Sequence, residues 1–363
     1  MKAIGSVKED LTKEKRISIT PETVKKFVNL DFSVFLEKNY AVHLGIKDEE
    51  YENLGANLYS SSKEVYKKSD ILLKVNCPSS NEIDFLEEKN ILIGQFDTFT
   101  EKDVINKLIK KKINVFSLSL LPRITRAQPM DVLSSQANLA GYRAVIESVE
   151  EFGKAVPMMM TAAGTITPAK VLVIGAGVAG LQAIATAKRL GGVVSATDVR
   201  AAAKEQVESL GGKFLVVEDD ENLETESGYA KEVTDNFKKK QEDLLIETLK
   251  KIDIVICTAL IPGKKAPRII NEKMIENMQA GSVIYDLAAS QGGNSAYTKV
   301  DEVVEKDGIT IIGESTILNK LPTSASNLYA KNLFNFVLNL YDKKKKKINI
   351  NMEDEIINKT FVK

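Results

Sequence analysis

Short apolar segments alternate with charged stretches of helical spacing along both halves of the chain. In the first half, apolar segments of strand length lie near Phe32, Ile71, Ile91 and Ile113. In the second half, the alternation resumes with KVLVI at Lys170 and continues through VVSATDV, DIVICTAL, SVIYDLA and ITIIG. Strand-length apolar runs separated by helical stretches are typical of α/β folds. The pattern therefore predicts two α/β domains.

Two longer amphipathic segments predict long helices. The first ends at Gly153, and its apolar positions repeat at helical spacing: Leu139, Tyr142, Ile146 and Val149. We expect the segment VPMMMTAAGTITP after it to be a loop. The second lies too late in the chain to belong to the second sheet, and its apolar positions are Ala330, Leu333, Phe334, Val337 and Tyr341. We expect this helix to return to the first domain. The predicted domains are then residues 1–135 with 315–363, and residues 136–314, with a ligand cleft between them.

Composition narrows the class of protein. The chain has 363 residues, of which 44% are hydrophobic and 28% charged, so folded domains are expected and a disordered chain is not. Fifty basic and fifty acidic residues give zero formal charge, which argues against nucleic acid as a partner. Cys77 and Cys257 lie far apart in sequence, which fits a reducing compartment and no metal cluster. Without a signal-like or spanning apolar segment, we expect a soluble, cytoplasmic chain.

A glycine-rich turn follows the KVLVI strand and precedes a helical stretch. In the sequence GAGVAG, Gly175 permits a tight turn, Gly177 lets the backbone approach a pyrophosphate, and Gly180 lets the helix pack on the strand. Val178 and Ala179 complete the candidate contacts at the helix N-terminus, which favours phosphate charge. The alternative is a glycine turn with no ligand. The strand and helix around the motif favour dinucleotide binding, and with it two Rossmann-like α/β domains joined by two long helices around a nucleotide cleft.

An acid ends the next predicted strand. Asp198 follows the glycine turn by roughly 20 residues, the position from which a carboxylate accepts hydrogen bonds from the adenosine ribose. Because a carboxylate there also repels a 2′-phosphate, Asp198 favours NAD(H) over NADP(H). Val199 and Arg200 are neighbouring candidate contacts, and Arg200 is a group that could pair with such a phosphate. The alternatives are a helix cap or surface acid for Asp198 and a solvated arginine for Arg200.

Residues 122–144 open as a segment without helical or strand periodicity before the first long helix. With GAGVAGLQAIATAKRLGGVVSATDVR and ALIPGKKAP, this segment resembles the NAD(H)-binding α subunit of proton-translocating nicotinamide nucleotide transhydrogenase, over nearly the whole chain. The resemblance implies that four residues surround the nicotinamide and its ribose: Arg123, Gln128, Asp131 and Ser134. It also makes Arg126 and Leu133 candidate cofactor contacts. The structural alternatives are an Arg123–Asp131 surface ion pair and a Ser134 helix cap.

The same resemblance implies a mobile loop over the nucleotide at residues 227–241. Tyr229 would lie at its tip, and Gly228 and Gln241 would contact the cofactor. From its residues alone the stretch is a charged connection. Leu260, at the end of the DIVIC strand, would lie beside the dinucleotide, with ordinary core packing as the alternative.

Alanine dehydrogenases look similar over much of the chain, so an amino-acid dehydrogenase is the serious alternative. Such an enzyme needs a general acid or base, most often a histidine, and His43 lies outside any site motif. The D-x-A-x-D-Q-G-G pattern of those dehydrogenases begins here at Asp286, but its second acid is replaced by Ser290. Arg16 and Lys74 could hold a carboxylate substrate, although a supporting role in the first domain is favoured.

Direct hydride transfer between two nicotinamides needs no protein acid or base, so the resemblance accounts for the missing histidine. It implies a soluble NAD(H)-binding subunit whose candidate catalytic residues orient NADH against NADP(H) on a partner subunit: Arg123, Gln128, Asp131, Ser134 and Tyr229. The implied assembly is a homodimer bound to membrane-spanning and NADP(H)-binding subunits at the cytoplasmic face of the membrane, with transfer coupled to proton translocation. A catalytically silent NAD-sensing module is a further alternative. The lysine run 343–347 fits a solvated tail better than a lipid contact.

Overall fold

The computed structural model describes residues 2–217, 234–261 and 264–362. The chain forms two compact units, one comprising Met1–Gln136 with Leu318–Lys363 and the other Ala137–Ile317. Each unit contains a largely parallel β-sheet with helices in the connections between strands. The prediction of two Rossmann-like α/β domains is therefore confirmed.

In the described part of the first unit, six parallel strands form one sheet in the order β3-β2-β1-β4-β5-β6. The strands are β1 (Ala3–Ser6), β2 (Ser33–Glu37), β3 (Ala56–Tyr59), β4 (Ile71–Leu73), β5 (Ile91–Gly94) and β6 (Asn114–Ser117). The helices between them are α1 (Pro21–Val28), α2 (Asp48–Asn53), α3 (Ser62–Lys68), α4 (Ser80–Phe85) and α5 (Lys102–Lys110).

Strand β1 lies at the centre of this sheet, although no long apolar run marks it in the sequence. Its residues AIGS are mostly small, and one of them, Gly5, has no room for a side chain, because a Cβ would lie 2.0 Å from Ser69 Oγ. Hydrogen bonding to β2 and β4 on both sides keeps the strand in place. Its position is decided by its neighbours rather than by its own hydrophobicity.

The second unit also has one main sheet, in the order β11-β10-β9-β12-β13-β15-β14, in which β14 alone of the described strands is antiparallel. Its strands are β9 (Lys170–Ile174), β10 (Val193–Thr197), β11 (Lys213–Phe214), β12 (Ile254–Cys257), β13 (Val283–Asp286), β14 (Val303–Lys306) and β15 (Ile309–Ile312). Its helices are α7 (Val178–Arg189), α8 (Ala203–Ser209), α9 (Asp235–Leu249) and α10 (Glu272–Glu276).

A hairpin precedes this sheet where the sequence predicted a loop. Strands β7 (Met159–Thr161) and β8 (Gly164–Ile166) pair antiparallel, and Met158 and Met160 beside and within β7 are exposed. The expectation of a plain loop at VPMMMTAAGTITP was therefore wrong. Its strand segments are only three residues long and exposed along their length, so they lack the alternation that marks a half-buried strand.

Two long helices are present as predicted. Helix α6 (Val132–Glu151) begins in the first unit and continues into the second, and α11 (Pro322–Leu340) lies in the first unit. Leu333 and Val337 of α11 are fully buried in the core cluster of the first unit, but Tyr341 ends the helix instead of extending it. The chain closes with the short strands β16 (Tyr341–Asp342) and β17 (Lys347–Ile348) and with α12 (Glu355–Thr360).

No helix among the described residues combines the length and the apolar composition that a bilayer span requires.

Candidate functional site

The glycine turn lies at the carboxyl end of β9, which is paired with β10 on one side and β12 on the other in the sheet of the second unit. Gly175 has φ +91°, which favours glycine, and a Cβ there would lie 2.8 Å from Thr258 Oγ1. The Thr258 hydroxyl donates a hydrogen bond of 2.7 Å to the carbonyl oxygen of Gly175. The turn is therefore tied to the first residue after β12.

The other two glycines have opposite surroundings. A Cβ on Gly180 would lie 1.8 Å from the carbonyl oxygen of Gly175, so α7 approaches the turn closely only because residue 180 has no side chain. Around Gly177, no described heavy atom lies within 4 Å of where a Cβ would be. Gly177 is the N-cap residue of α7, and this N-cap makes no side-chain hydrogen bond to the described residues. An open glycine at a helix N-terminus provides the surroundings that a pyrophosphate requires, so the residues fit a dinucleotide.

Asp198 follows β10 and already holds several hydrogen bonds. Its carboxylate accepts from the backbone N–H of Ala176 over 2.7 Å and from that of Arg200 over 2.9 Å. The Arg200 guanidinium donates to both carboxylate oxygens, over 2.9 and 2.8 Å. Asp198 therefore links the glycine turn to the segment after β10. Because Arg200 partly neutralises this carboxylate, the repulsion of a 2′-phosphate is weaker than a lone acid would give.

Asn294, which no pattern in the sequence identified, holds the segment beside the glycine turn. Its side chain accepts a hydrogen bond from Ala259 N–H and donates to the carbonyl oxygens of Ala259 and Pro267. Asp286 in turn accepts from the backbone N–H of Asn294 over 2.7 Å. Burial raises the pKa of the Asp286 carboxyl, and hydrogen bonds from Thr298 and nearby backbone amides offset part of that rise.

The first acid of the D-x-A-x-D-Q-G-G pattern, Asp286, therefore has a structural role in this hydrogen-bond network. Asp286 is fully buried and also accepts from Ala288 N–H, Ser295 N–H and the Thr298 hydroxyl. Ser290, at the second acid position, is exposed in a 3₁₀ turn. Leu260, two residues after Thr258, is 40% exposed, so it does not pack in the core.

In the first unit, residues 123–134 form what we call the 123–134 loop, which contains a 3₁₀ turn at Thr125–Met130 and ends with the first three residues of α6. Ala127, Met130 and Val132 are buried in the core cluster of the first unit. The candidate contact side chains Arg123, Gln128 and Leu133 are exposed. The loop is thus anchored by its apolar residues and presents its polar ones outward.

Asp131 and Ser134 of this loop contact one another. Asp131 precedes α6 and accepts the backbone N–H of Ser134 over 2.9 Å, as a helix N-cap does. The Ser134 hydroxyl donates to the other carboxylate oxygen of Asp131 over 2.5 Å. Asp131, rather than Ser134, therefore caps the long helix. Arg126 pairs with Asp354 over 2.6 Å and donates to Asn339 over 3.1 Å.

Arg16 and Lys74 are both buried and paired with carboxylates. Arg16 binds Glu14 through Nε and Nη2 over 2.8 and 2.7 Å, and Lys74 lies 3.0 Å from Glu82 and 3.4 Å from Glu9. Burial by itself lowers the pKa of Lys74, but the two carboxylates raise it above its usual value. Both side chains are therefore buried cations that form ion pairs with carboxylates inside the first unit.

His43 lies on the surface of the first unit, in a 3₁₀ turn, with its Nε2 2.8 Å from the carbonyl oxygen of Lys15. Of the residues assigned to the mobile loop, Gly228 and Tyr229 lie outside the described residues. Gln241 is described: it lies in α9 and is buried. The expectation of a loop through residue 241 was therefore wrong from Asp235 onward, because α9 begins there.

Comparison with known proteins places both units in one family. A family model described as alanine dehydrogenase/PNT, N-terminal domain, matches residues 5–140, and its C-terminal counterpart matches residues 144–363. The first part of NAD(P) transhydrogenase subunit alpha from Rhodospirillum rubrum is 48% identical over 366 residues, which cover 99% of this chain and 95% of the relative.

Solved structures and more distant relatives agree with that match. The crystal structure of transhydrogenase from Sinorhizobium meliloti has a TM-score of 0.88 and 43% identity, and the match covers 99% of this chain and 97% of the other. The alanine dehydrogenase of Methanococcus maripaludis is 28% identical over 85% of this chain and 77% of its own length. Similarity is thus greater to transhydrogenases than to that alanine dehydrogenase.

Proposed function

The chain belongs to the alanine dehydrogenase/PNT family, and from that premise we propose that it is the NAD(H)-binding subunit of a proton-translocating transhydrogenase. In this function, hydride is exchanged between NADH on this chain and NADP+ on a partner subunit, and the exchange is coupled to proton translocation across a membrane. The greater similarity to NAD(P) transhydrogenase alpha subunits than to alanine dehydrogenase supports the choice.

The position of His43 is the observation that favours the proposed function over that of an amino-acid dehydrogenase. The sequence contains one histidine, and it lies on the surface with its ring bound to the Lys15 carbonyl. Imine and carbonyl chemistry at neutral pH calls for a group that gains and loses a proton near that pH, most often histidine. Arg16, which could hold a carboxylate substrate, is already bound by Glu14. A transfer that needs no acid or base fits these residues better.

For cofactor binding we assign the ADP portion of NAD(H) to the second unit. The open position at Gly177 and the N-terminus of α7, with Val178 and Ala179, would bind the pyrophosphate. Asp198, with Val199 and Arg200 beside it, would bind the adenosine ribose. Leu260 is exposed at the end of the neighbouring strand and would pack against the cofactor.

For the nicotinamide portion we assign the 123–134 loop. Nicotinamide supplies the hydride chemistry itself, so the chain contributes orientation. The exposed side chains of Arg123 and Gln128 would contact the ring, and the bonded pair Asp131 and Ser134 would contact the ring or its ribose. Tyr229, with Gly228, belongs to the same assignment from the family resemblance.

The proposed partners follow from the reaction. A subunit that binds NADP(H) and one that spans the membrane must supply the second nucleotide and the proton path. We place the chain, as a homodimer, on the cytoplasmic face of the membrane through those subunits. Similar proteins are named as the alpha subunit of NAD(P) transhydrogenase, and a name of that kind implies further subunits.

The test mixes the purified chain with NADH, an oxidised NAD analogue and a transhydrogenase component loaded with NADP(H). Hydride then passes from NADH to the bound NADP+ and from the resulting NADPH to the analogue, whose reduction is followed. One control omits the NADP(H)-binding component, and another supplies pyruvate and ammonium instead. We expect turnover only with that component. Turnover with pyruvate and ammonium, and none with the component, would make the chain an amino-acid dehydrogenase.

A further inference from the structure

Three asparagines lie along one face of α11. Asn332, Asn335 and Asn339 are spaced three and four residues apart, the spacing that places side chains on one side of a helix. Asparagine is a poor residue for a helix interior because its side chain competes for backbone hydrogen bonds. We call these three residues the asparagine stripe. Because helix propensity does not explain the asparagine stripe, we expect the explanation in the hydrogen bonds that its side chains make.

The first two members of the stripe bind the backbone of the 123–134 loop at one point. Asn332 Nδ2 donates to the carbonyl oxygen of Pro129 over 2.8 Å, and Asn335 Nδ2 donates to the same oxygen over 3.0 Å. Asn332 Oδ1 also accepts a hydrogen bond of 2.7 Å from the Ser135 hydroxyl, just past the loop. Proline at position 129 fixes its own φ, so this anchor point has little freedom of its own.

The third member holds the loop at a second point. Asn339 Oδ1 accepts from Arg126 Nη1 over 3.1 Å, and the same nitrogen donates to Asp354 over 2.6 Å. Asp354 is itself fixed, because its other carboxylate oxygen accepts from Ile356 N–H and Ile357 N–H at the start of α12. Arg126 is therefore tied to two C-terminal helices of the same unit.

Gln128 lies between these two anchor points. Its side chain is exposed, whereas Ala127, Met130 and Val132 of the loop are buried in the core cluster and Ile124 packs against it. Where an exposed side chain points is set by the backbone that carries it. Hydrogen bonds to the Arg126 side chain and to the Pro129 carbonyl oxygen hold that backbone before and after Gln128.

We propose that the asparagine stripe and Asp354 are positioning residues that fix the 123–134 loop, and through it the orientation of the nicotinamide ring. Arg126 then acts as a tether of the loop rather than as a nucleotide contact. This inference rests on the proposed function, because it gives the loop its task. It adds four residues that act without touching the cofactor: Asn332, Asn335, Asn339 and Asp354.

The first experiment compares the wild-type chain with the double variant Asn332→Ala/Asn335→Ala, which removes both donors to the Pro129 carbonyl. Asn327→Ala is the matched control, since Asn327 is exposed on the same helix. In the nucleotide-free chain, hydrogen exchange followed by mass spectrometry should show faster exchange in residues 124–135 of the double variant. The control should exchange like the wild type. This readout does not depend on activity.

The second readout separates binding from transfer. With the NADP(H)-binding component, the double variant should lose about tenfold or more in kcat, because small misplacements of a reacting ring are costly. Its dissociation constant for NADH, from fluorescence titration, should change less than about threefold, since the ADP portion is held in the second unit. A drop in NADH affinity equal to the drop in kcat/KM, with kcat unchanged, would overturn the positioning role.

If the double variant does not fold, the single variant Asn335→Ala replaces it, because Asn335 is only half-buried. Unchanged exchange and unchanged kcat in a folded variant would also overturn the inference. A wild-type chain that shows no transfer with the partner component would instead sink the proposed function, while the exchange experiment would still test the anchoring of the loop.

Arg126→Ala and Asp354→Asn distinguish a tether from a nucleotide contact. Asparagine also caps helices, so Asp354→Asn keeps the cap of α12 and removes the charge opposite Arg126. A tether predicts that both variants lower kcat, Arg126→Ala the more because it also loses the hydrogen bond to Asn339. It further predicts that Arg126→Ala/Asp354→Asn falls no further than Arg126→Ala alone. Weaker NADH binding in Arg126→Ala, with no effect of Asp354→Asn, would return Arg126 to the nucleotide site.

Discussion

Gly177 and Gly180 are three residues apart in one turn, yet a methyl group would have opposite consequences at the two positions. At residue 180 it would lie 1.8 Å from the Gly175 carbonyl oxygen, and at residue 177 it would meet no described atom within 4 Å. The backbone at Gly177 has φ −76°, which alanine adopts without strain. The pair therefore separates a requirement for folding from a requirement for the ligand.

We expect Gly180→Ala to lower the free energy of unfolding by about 1–3 kcal/mol, the usual cost of an overpacked contact. Gly177→Ala should unfold at the wild-type temperature but bind NADH at least about tenfold more weakly, a loss of about 1.4 kcal/mol. Thermal unfolding and NADH fluorescence titration measure the two effects. Normal NADH affinity in a folded Gly177→Ala chain would show that the turn is not the pyrophosphate site.

Asn294 has a structural role that the pattern of residues around it does not predict. It lies in the stretch QGGNS, directly after the D-x-A-x-D-Q-G-G pattern, which does not include it. In the fold it binds Ala259 and Pro267, which lie 35 and 27 positions away. A hydrogen bond between residues so far apart depends on the sheet that brings β12 and β13 together, so no local signal announces it.

At the scale of elements, the start of α12 joins a helix cap to an ion pair. Asp354 caps α12 and pairs with Arg126, and the hydrogen bond from Arg126 lowers the pKa of the Asp354 carboxyl below its usual value. An acid whose pKa is lower in the folded than in the unfolded chain binds fewer protons when folded. Its stabilising contribution is therefore present above the unfolded pKa and is lost as the pH falls through the folded pKa.

We expect the stability difference between the wild-type chain and Asp354→Asn to shrink as the pH falls from about 6 to about 3. Because Arg126 is half-exposed, the difference near neutral pH should be below about 1 kcal/mol. Urea unfolding at a series of pH values, read as the difference between the two proteins, cancels the titration of the other carboxylates. A difference that grows toward low pH would contradict this account.

Some elements follow from the pattern and others do not. Strands β9 and β12 are buried along most of their length, so their continuous apolar runs identify them. The exposed hairpin of β7 and β8 has no such run. Helix α11 was expected from its apolar face, but the asparagine stripe on the same helix has a meaning only through the loop it binds.

For the whole molecule, the proposed homodimer predicts a mass in solution of twice the 40.0 kDa chain. Closed twofold symmetry is the commonest assembly of soluble proteins, and the proposed partners would then meet two copies. Sedimentation equilibrium over a range of protein concentrations measures the mass. A single species of 40.0 kDa at the highest concentration would contradict the homodimer and leave the NAD(H) assignment standing.

The sequence by itself determined the two α/β units, the glycine turn and the absence of a histidine in any site motif. Each of these is local: apolar spacing within an element, three glycines within six residues, or the identity of one side chain. Its resemblance to transhydrogenases added the roles proposed for the 123–134 loop.

Only the tertiary structure decided how those local features are held. Strand β1 is central because it pairs with β2 and β4. Asn294 binds Ala259, which follows the strand next to the glycine turn. Arg126 binds residues of α11 and of the start of α12. Each contact joins segments that are distant along the chain. Such contacts depend on packing and on hydrogen bonds that exist only once the elements have assembled, so they cannot be read from local sequence.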